Sequence, residues 1–223
     1  MADRIGIGLS KKDQTKYNNT ISMYYRIMII LSNLGDKFSP SQPFIIHRER
    51  FGYCLGLIEV LKGITRFYTE SGVNSIFEVM CGCGALRILL HRFITYYGRN
   101  YECSDSYKPD DEYRTKVSDL YNIFPDVPRP TQSSSIDTIK SISEPNSAVL
   151  ISFAPFNTSD GSDSLKEILK NANVKFVISL HERSCVANDE YYEILDTAFK
   201  VVKTYSLCYI SALDYEMVIY KKM

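Results

Sequence analysis

The segment Ser75–Tyr97 constrains the fold of this chain more than any other part of the sequence. An apolar, partly β-branched run with an acid near its end leads through Gly82 and Gly84 into a stretch whose apolar residues recur at helical spacing, and Gly98 stands where that helix would stop. The pattern predicts a strand, a glycine turn and a helix. Glycines let the backbone turn tightly and approach a ligand, and the first N–H groups of a helix lack intrahelical partners. Such an arrangement is a common binding site for nucleotide-like ligands. The alternative interpretation is a tight turn without a ligand.

The helix after the turn argues against a dinucleotide ligand. A dinucleotide-binding turn has a third small residue three positions after its second glycine, where helix and strand pack closely. Here that position is Arg87, which is large and charged. A nicotinamide-dependent enzyme is therefore disfavoured.

The pattern Glu78-x-x-x-Gly82-x-Gly84 resembles the first motif of class I S-adenosylmethionine-dependent methyltransferases. The resemblance implies that Glu78 closes the first strand and helps hold the methionine end of the cofactor, which the glycines line. The family usually has another glycine two residues after the acid. This chain has Met80 there, so the resemblance assigns Met80 to the wall of the cofactor site.

The residues 99–105 predict a short second strand that ends in an acid. A carboxylate at the end of such a strand can accept two hydroxyl hydrogen bonds from a ribose. In the family that position binds the ribose of the cofactor, and Asp105 matches it better than Glu102. An ordinary exposed acid is the alternative.

A frail third strand is predicted over residues 131–135, and a short helix over 137–142. In the family an acid commonly contacts the adenine amino group after the third strand. The resemblance leaves two candidates for that contact here, Ser134 and Asp137.

The residues 148–153 predict a buried fourth strand that runs into Pro155 and Phe156. The segment Ser152-Phe-Ala-Pro-Phe156 resembles the Asn/Asp-Pro-Pro-aromatic segment of methyltransferases acting on amino groups. It is more similar to a Ser-Trp-Pro-Pro variant in poorly characterised methyltransferase-like proteins. The resemblance implies that Ser152, Pro155 and Phe156 lie on the acceptor side. Because Phe153 stands where Asn or Asp would be, methylation of an amino group does not follow.

A fifth strand is predicted over residues 174–180, followed by His181 and Glu182. Parallel sheets bind ligands at the carboxyl edge of their strands, so both side chains are candidates for the rim of the site and His181 for a general base. A helix follows from about Glu190 to Ala198, with Asn188 or Asp189 as its cap.

The residues 200–210 and 215–221 predict a long hairpin. Methyltransferases of this class end with an antiparallel seventh strand beside the fifth. The resemblance therefore implies a doubly wound α/β sheet of seven strands, six parallel and the seventh antiparallel, over residues 74–223. Residues 1–73 are predicted to form an N-terminal helical extension, with helices over about 13–34 and 51–68, that packs over the cofactor cleft.

Composition narrows the classes of partner. The 223 residues include 26 Lys and Arg and 26 Asp and Glu, so a broad electrostatic contact with nucleic acid is not indicated, although a local basic patch stays possible. No signal peptide and no run of 18 apolar residues is visible, so we expect a cytoplasmic protein without a membrane segment. The six cysteines are scattered, and no second close pair lies at zinc-site spacing. We therefore expect the cysteines to behave as small buried hydrophobic residues in a reducing compartment, and we expect no metal site.

Two functional hypotheses follow. In the first, the chain is an S-adenosylmethionine-dependent methyltransferase with an unidentified acceptor. In the second, it is a catalytically inactive methyltransferase-like protein that serves in binding or interaction. Met80, Phe153 and the missing acid after the third strand favour the second.

Overall fold

A computed structural model describes residues 58–82, 84–106, 121, 125–152, 154–181, 187–206 and 216–223. These residues form helices and strands that alternate along most of the chain. In chain order they are α1 (Ile58–Glu70), β1 (Ser75–Val79), α2 (Ala85–Tyr97), β2 (Asn100–Asp105), β3 (Thr131–Gln132), α3 (Ser135–Ser141), β4 (Ser147–Ser152), α4 (Asp160–Lys170), β5 (Val174–His181), α5 (Asp189–Ala198), β6 (Phe199–Ser206) and β7 (Glu216–Lys222).

The strands form one seven-stranded sheet in the order β3-β2-β1-β4-β5-β7-β6. All neighbours from β3 to β5 pair in parallel, while β7 is antiparallel to both β5 and β6. Six strands are therefore parallel and the seventh is antiparallel. This confirms the predicted fold class, including the insertion of the last strand beside the fifth.

The central strands are apolar because helices cover both faces of the sheet. Every residue of β1 and of β4 is buried. On one face the ring of Phe176 in β5 packs edge-on against Phe67 of α1, with 5.2 Å between ring centroids. On the other face Thr138 of α3 donates a hydrogen bond to Ser104 of β2 at 2.8 Å. We refer to these as the α1 face and the α3 face.

Cross-strand register assigns the remaining helices to these two faces. Cys103 pairs with Glu78, which pairs with Leu150, and these lie on the α1 face with Phe176. Arg87 of α2 contacts the Cys103 sulfur at 3.8 Å, so α2 lies on this face too. Helices α4 and α5 pack with α3 on the opposite face.

The predicted element boundaries are confirmed for most strands, and two differences have clear physical causes. Strand β3 ends at Gln132 rather than at residue 135, because the Ser134 hydroxyl accepts a hydrogen bond from the Asp137 N–H and begins α3 instead. Helix α4 was not predicted. Its buried side includes Gly161, Ser162 and Ser164, so its apolar periodicity is weak.

The predicted helix over 13–34 lies outside the described residues, as do the start of the second helix and most of the segment 1–73. The described part of that second helix is α1, which ends at Glu70. Residues 207–215, which join β6 to β7, are also outside.

The end of β7 is tied to the end of α4 through one lysine. The Lys222 Nζ donates to the carbonyl oxygens of Ile168, Leu169 and Asn171 at 3.3, 3.4 and 2.8 Å. A cation at the C-terminus of a helix satisfies its last carbonyls and complements the helix dipole.

Within the described residues, no helix combines the length and the apolar character needed to cross a membrane.

Candidate functional site

Strand register brings three of the predicted site residues to one level at the carboxyl edge of the sheet. Val79 pairs with Ser104 of β2 and with Ile151 of β4. The next residue along each of these three strands therefore lies at the same level of the sheet. These residues are Met80, Asp105 and Ser152. The strand order also reverses at β1, whose helix and following strand lie on one side while β4 lies on the other. Ligands of open parallel sheets bind at such a reversal.

Glu78 is the buried acid of this site. Its side chain is fully buried on the α1 face, where one carboxylate oxygen accepts a hydrogen bond from the Tyr101 hydroxyl at 2.8 Å and the other from Ser152 at 3.0 Å. Burial raises the pKa of Glu78 to about 7, although both hydroxyl hydrogen bonds oppose the shift. The Asp105 charge adds to the increase, and Arg87 weakly counters it.

The glycine turn places three residues in the left-handed region: Met80 at φ 55°, Gly82 at φ 55° and Gly84 at φ 71°. The turn is closed by a hydrogen bond from the Gly84 N–H to the Cys81 carbonyl at 2.9 Å. The Gly82 N–H donates to the Asp105 carboxylate at 2.8 Å. Asp105 therefore lies against the turn, where it is half-buried.

Gly84 is needed for packing as well as for its dihedral angle. A Cβ at this position would lie 2.7 Å from the Tyr121 hydroxyl, 2.9 Å from the Pro130 ring and 3.2 Å from the Cys103 sulfur. Gly84 is also the N-cap of α2, and no side chain caps that helix end. The N-terminus of α2 is thus pressed against β2 and the segment before β3.

Met80 is the strained member of the turn. A left-handed conformation costs a residue with a Cβ about 1–2 kcal/mol. Its side chain is half-buried and packs against the hydrophobic core. The sequence position that the resemblance expected to be glycine is therefore also a position whose backbone favours glycine.

The side chains of Cys81 in the turn and Cys103 in β2 are both buried and form no disulfide. Burial raises the pKa of the Cys81 thiol, and a hydrogen bond with Cys103 adds to this. The expectation of buried small cysteines is confirmed for these two residues. The other four cysteines lie outside the described residues.

Ser134 lies next to the site but serves as a helix cap. The preceding residue, Ser133, donates its N–H to the Asp105 carbonyl at 3.0 Å. The Ser134 hydroxyl accepts from the Asp137 N–H at 3.1 Å and donates to the Asp137 carboxylate at 2.7 Å. The two predicted adenine contacts are therefore bonded to each other.

The segment after β4 is exposed. The Ala154 carbonyl accepts from the Ala187 N–H at 2.9 Å, which anchors the start of the segment. Pro155 is exposed, and Phe156 leaves 54% of its surface accessible, which is unusual for a large apolar residue. Phe153 lies outside the described residues.

His181 lies on the α3 face, opposite to Glu78. It is buried at the end of β5, where its Nδ1 is 2.8 Å from the Ser179 hydroxyl, and that hydroxyl is 2.7 Å from the Tyr191 hydroxyl. The ring of Tyr192 packs edge-on against it at 5.4 Å. The structure therefore does not group His181 with Ser152 and Phe156. Glu182 lies outside the described residues.

Sequence reasoning did not single out Tyr101, and it gave Arg87 no role in the site. Tyr101, Cys103 and Asp105 alternate along β2, so they share one face of the sheet. That alternation was visible in the sequence, but the partner of the Tyr101 hydroxyl depends on the register between β1 and β2. Among the described residues no group of three or more His, Cys, Asp or Glu side chains could hold a metal ion.

No family model matches the sequence, and no curated protein matches it. Several solved structures are similar to part of this chain. A rRNA methylase from Streptococcus thermophilus is 12% identical, with 73% of this chain and 96% of that chain covered and a TM-score of 0.47. A putative rRNA methylase from Clostridium thermocellum is 14% identical, with coverage of 73% and 97% and a TM-score of 0.48.

The N-methyltransferase NodS from Bradyrhizobium japonicum WM9, in complex with S-adenosyl-L-homocysteine, is 11% identical. The match covers 74% of this chain and 87% of NodS, with a TM-score of 0.49. Identities and TM-scores this low support no conclusion about function.

Proposed function

We propose that this chain binds S-adenosylmethionine at the carboxyl edge of β1 and β2 and transfers its methyl group to an acceptor that lies beside the segment after β4. The observation that carries the proposal is the hydrogen bond from the Gly82 N–H to the Asp105 carboxylate at 2.8 Å. Asp105 ends β2, the strand next to the one that contains the buried Glu78. Two acids and a left-handed glycine turn thus meet where the strand order reverses.

In this proposal Asp105 holds the ribose. An ionised carboxylate offers about four acceptor sites, so the bond from Gly82 is compatible with hydrogen bonds from two ribose hydroxyls. Gly82, Gly84 and Met80 border the methionine end, and Ser134 borders the adenine. Glu78 supplies negative charge behind the turn without direct exposure.

Little chemistry is required of the side chains. The bound donor supplies an activated sulfonium methyl group, so the protein has to hold the acceptor in line with it and exclude water. Pro155 and Phe156 are exposed beside Ser152 and suit an acceptor contact. Because the Ser152 hydroxyl is bonded to Glu78, a polar contact to the acceptor would come from a backbone carbonyl of this segment. This part of the proposal follows the likeness to the Ser-Trp-Pro-Pro group.

Titration calorimetry with S-adenosylmethionine and S-adenosylhomocysteine tests the proposal. Hydrogen bonds to a charged group contribute about 1.5–3 kcal/mol, so Asp105→Ala should raise Kd about ten- to a hundredfold. Glu102→Ala is the matched control, since Glu102 is an exposed acid on the same strand, and it should leave Kd unchanged. Absence of binding by the wild-type chain, or equal Kd values for the two variants, would contradict the proposal.

The second candidate is a protein that binds the cofactor without transferring its methyl group. The strained Met80 and the engagement of Ser152 with Glu78 favour it. Release of S-adenosylhomocysteine from labelled cofactor, with nucleic acid, protein and small-molecule amines as acceptors, distinguishes the two. Binding without release in any of the three would favour the second candidate.

A further inference from the structure

We propose that ligand binding at this site is coupled to the release of one proton from Glu78, so that a cationic ligand replaces the proton as the partner of the buried carboxyl group. This inference rests on the proposed function and adds to it a dependence of cofactor affinity on pH. It assigns to Glu78 the role of a positioning residue that acts through charge.

In the described part of the chain, the hydrogen-bond partners of Glu78 are both neutral. Its two oxygens accept one hydroxyl hydrogen bond each, from Tyr101 and Ser152, and its side chain is fully buried between β2 and β4. No basic side chain of the described ranges forms an ion pair with it. A buried carboxylate without a counter-charge is costly, and such groups take up a proton instead.

Among the described residues, the charged and titratable groups facing Glu78 leave a deficit of positive charge. Strand β2 contributes Tyr101, Cys103 and Asp105, the turn contributes Cys81, and β4 contributes none. Helix α2 contributes Arg87, whose guanidinium contacts the Cys103 sulfur at 3.8 Å. Within this part of the chain two acids thus face one guanidinium, so these described groups sum to a net negative charge when both acids are ionised.

A cationic ligand removes this deficit. A positive charge within about 4–6 Å of a carboxyl group favours its ionised form and lowers its pKa. S-adenosylmethionine carries a sulfonium, an ammonium and a carboxylate group and is a net cation at neutral pH, whereas S-adenosylhomocysteine lacks the sulfonium charge and is a net neutral zwitterion. When either compound binds with a positively charged group beside the turn, the O–H bond of Glu78 breaks, the electron pair stays on the carboxylate, and the proton passes to the solvent.

The sign of the pH dependence follows from linkage. Burial raises the pKa of Glu78 to about 7 in the free chain, so the carboxyl group is protonated below that value and its proton must be lost on binding. Affinity should therefore rise by up to about tenfold per pH unit as pH increases to about 7, and then level off. The expected effect is larger for S-adenosylmethionine than for S-adenosylhomocysteine.

Calorimetry at pH 6 in two buffers of different ionisation enthalpy measures the released proton directly. The wild-type chain should release up to one proton more per bound S-adenosylmethionine than Glu78→Gln, in which only the ionisations of the ligand remain. The Kd of Glu78→Gln should also be flat between pH 5.5 and 7. Equal proton release by the two proteins would overturn the inference. Glu102→Gln should behave as wild type.

Two further variants test the inference if Glu78→Gln does not fold. Tyr101→Phe and Ser152→Ala each remove a hydroxyl that favours the ionised carboxylate, so each should move the midpoint of the Kd profile to higher pH by up to about one unit. An unmoved midpoint in both would overturn it. A wild-type chain that binds with a Kd independent of pH refutes only this inference, whereas a chain that binds neither compound at any pH refutes the proposed function as well.

Discussion

Buried polar side chains lie at the carboxyl ends of two neighbouring parallel strands, β4 and β5, but on opposite faces of the sheet. On the α1 face Ser152 reaches Glu78 and Tyr101. On the α3 face His181 is joined through Ser179 to Tyr191. Both groups are buried and both consist of three side chains linked by two hydrogen bonds. Burial and hydrogen bonding alone therefore do not distinguish a functional site from a structural one.

The difference lies in charge and in the neighbouring backbone. Glu78 brings a carboxyl group, lies beside Asp105 and adjoins a turn with left-handed residues. Ser179 and Tyr191 carry no charge, and burial raises the pKa of the Tyr191 hydroxyl so that it stays protonated. We therefore propose a ligand-binding role for the α1-face group and a structural role for the α3-face group. The predictions below test this division.

The largest expected effect is at the glycine turn. Gly84→Ala should lower the free energy of unfolding by about 3–4 kcal/mol, because left-handed strain of about 1–2 kcal/mol adds to overpacking against Tyr121 and Pro130. Gly98→Ala is the matched control, since Gly98 has φ 60° but open space around its Cβ position, so only the strain should remain. Urea denaturation measures both. Equal losses would mean that the close packing around Gly84 is not rigid.

The second prediction concerns the pH dependence of stability. The pKa of Glu78 is raised from 4.5 to about 7, so between these values the folded chain binds more protons than the unfolded chain. Stability should therefore fall as pH rises from about 4.5 to 7 and be level above. The loss is about 3 kcal/mol at about 1.4 kcal/mol per pKa unit. Denaturation at a series of pH values should show this slope in the wild-type chain but not in Glu78→Gln, and a shared slope would assign it to other groups.

The third prediction separates the two faces. Ser179→Ala removes the link between His181 and Tyr191 and leaves buried polar atoms without that partner, which costs about 1–3 kcal/mol. It should lower stability while leaving the Kd for S-adenosylmethionine unchanged. Ser152→Ala should change the pH profile of Kd as described above. A Kd that rises on Ser179→Ala would show that the α3-face group also serves the ligand site.

The sequence allowed prediction of those parts of the fold that depend on local pattern. The apolar runs of β1, β4 and β5 and the spacing in α2 predict elements that the structure contains. Helix α4 was missed because small residues such as Gly161 and Ser164 form much of its buried side. Close packing of Gly161 against Ala154 and Tyr191 explains why this residue is small, but the contact with Tyr191 joins distant parts of the chain.

The candidate site was predictable only in part, for a related reason. Glu78 and Asp105 lie at or next to the end of a strand, and Gly82 and Gly84 lie in the turn, so all four can be found from local spacing. The bonds from Tyr101 and Ser152 to Glu78 cross three strands, so they depend on register that spacing alone does not specify. The same limit applies to His181, because the face of the sheet on which it lies determines its contacts.

The smallest expected effect concerns Met80 and sharpens the role of the turn. Met80→Gly and Met80→Ala remove the same packing against the core, but only alanine keeps a Cβ in the left-handed region at φ 55°. Met80→Gly should therefore be more stable than Met80→Ala by about 1 kcal/mol, net of the greater flexibility of the unfolded glycine chain. Urea denaturation of the two variants measures the difference. If alanine were the more stable residue, the turn would relax without a glycine, and Met80 could not be regarded as strained.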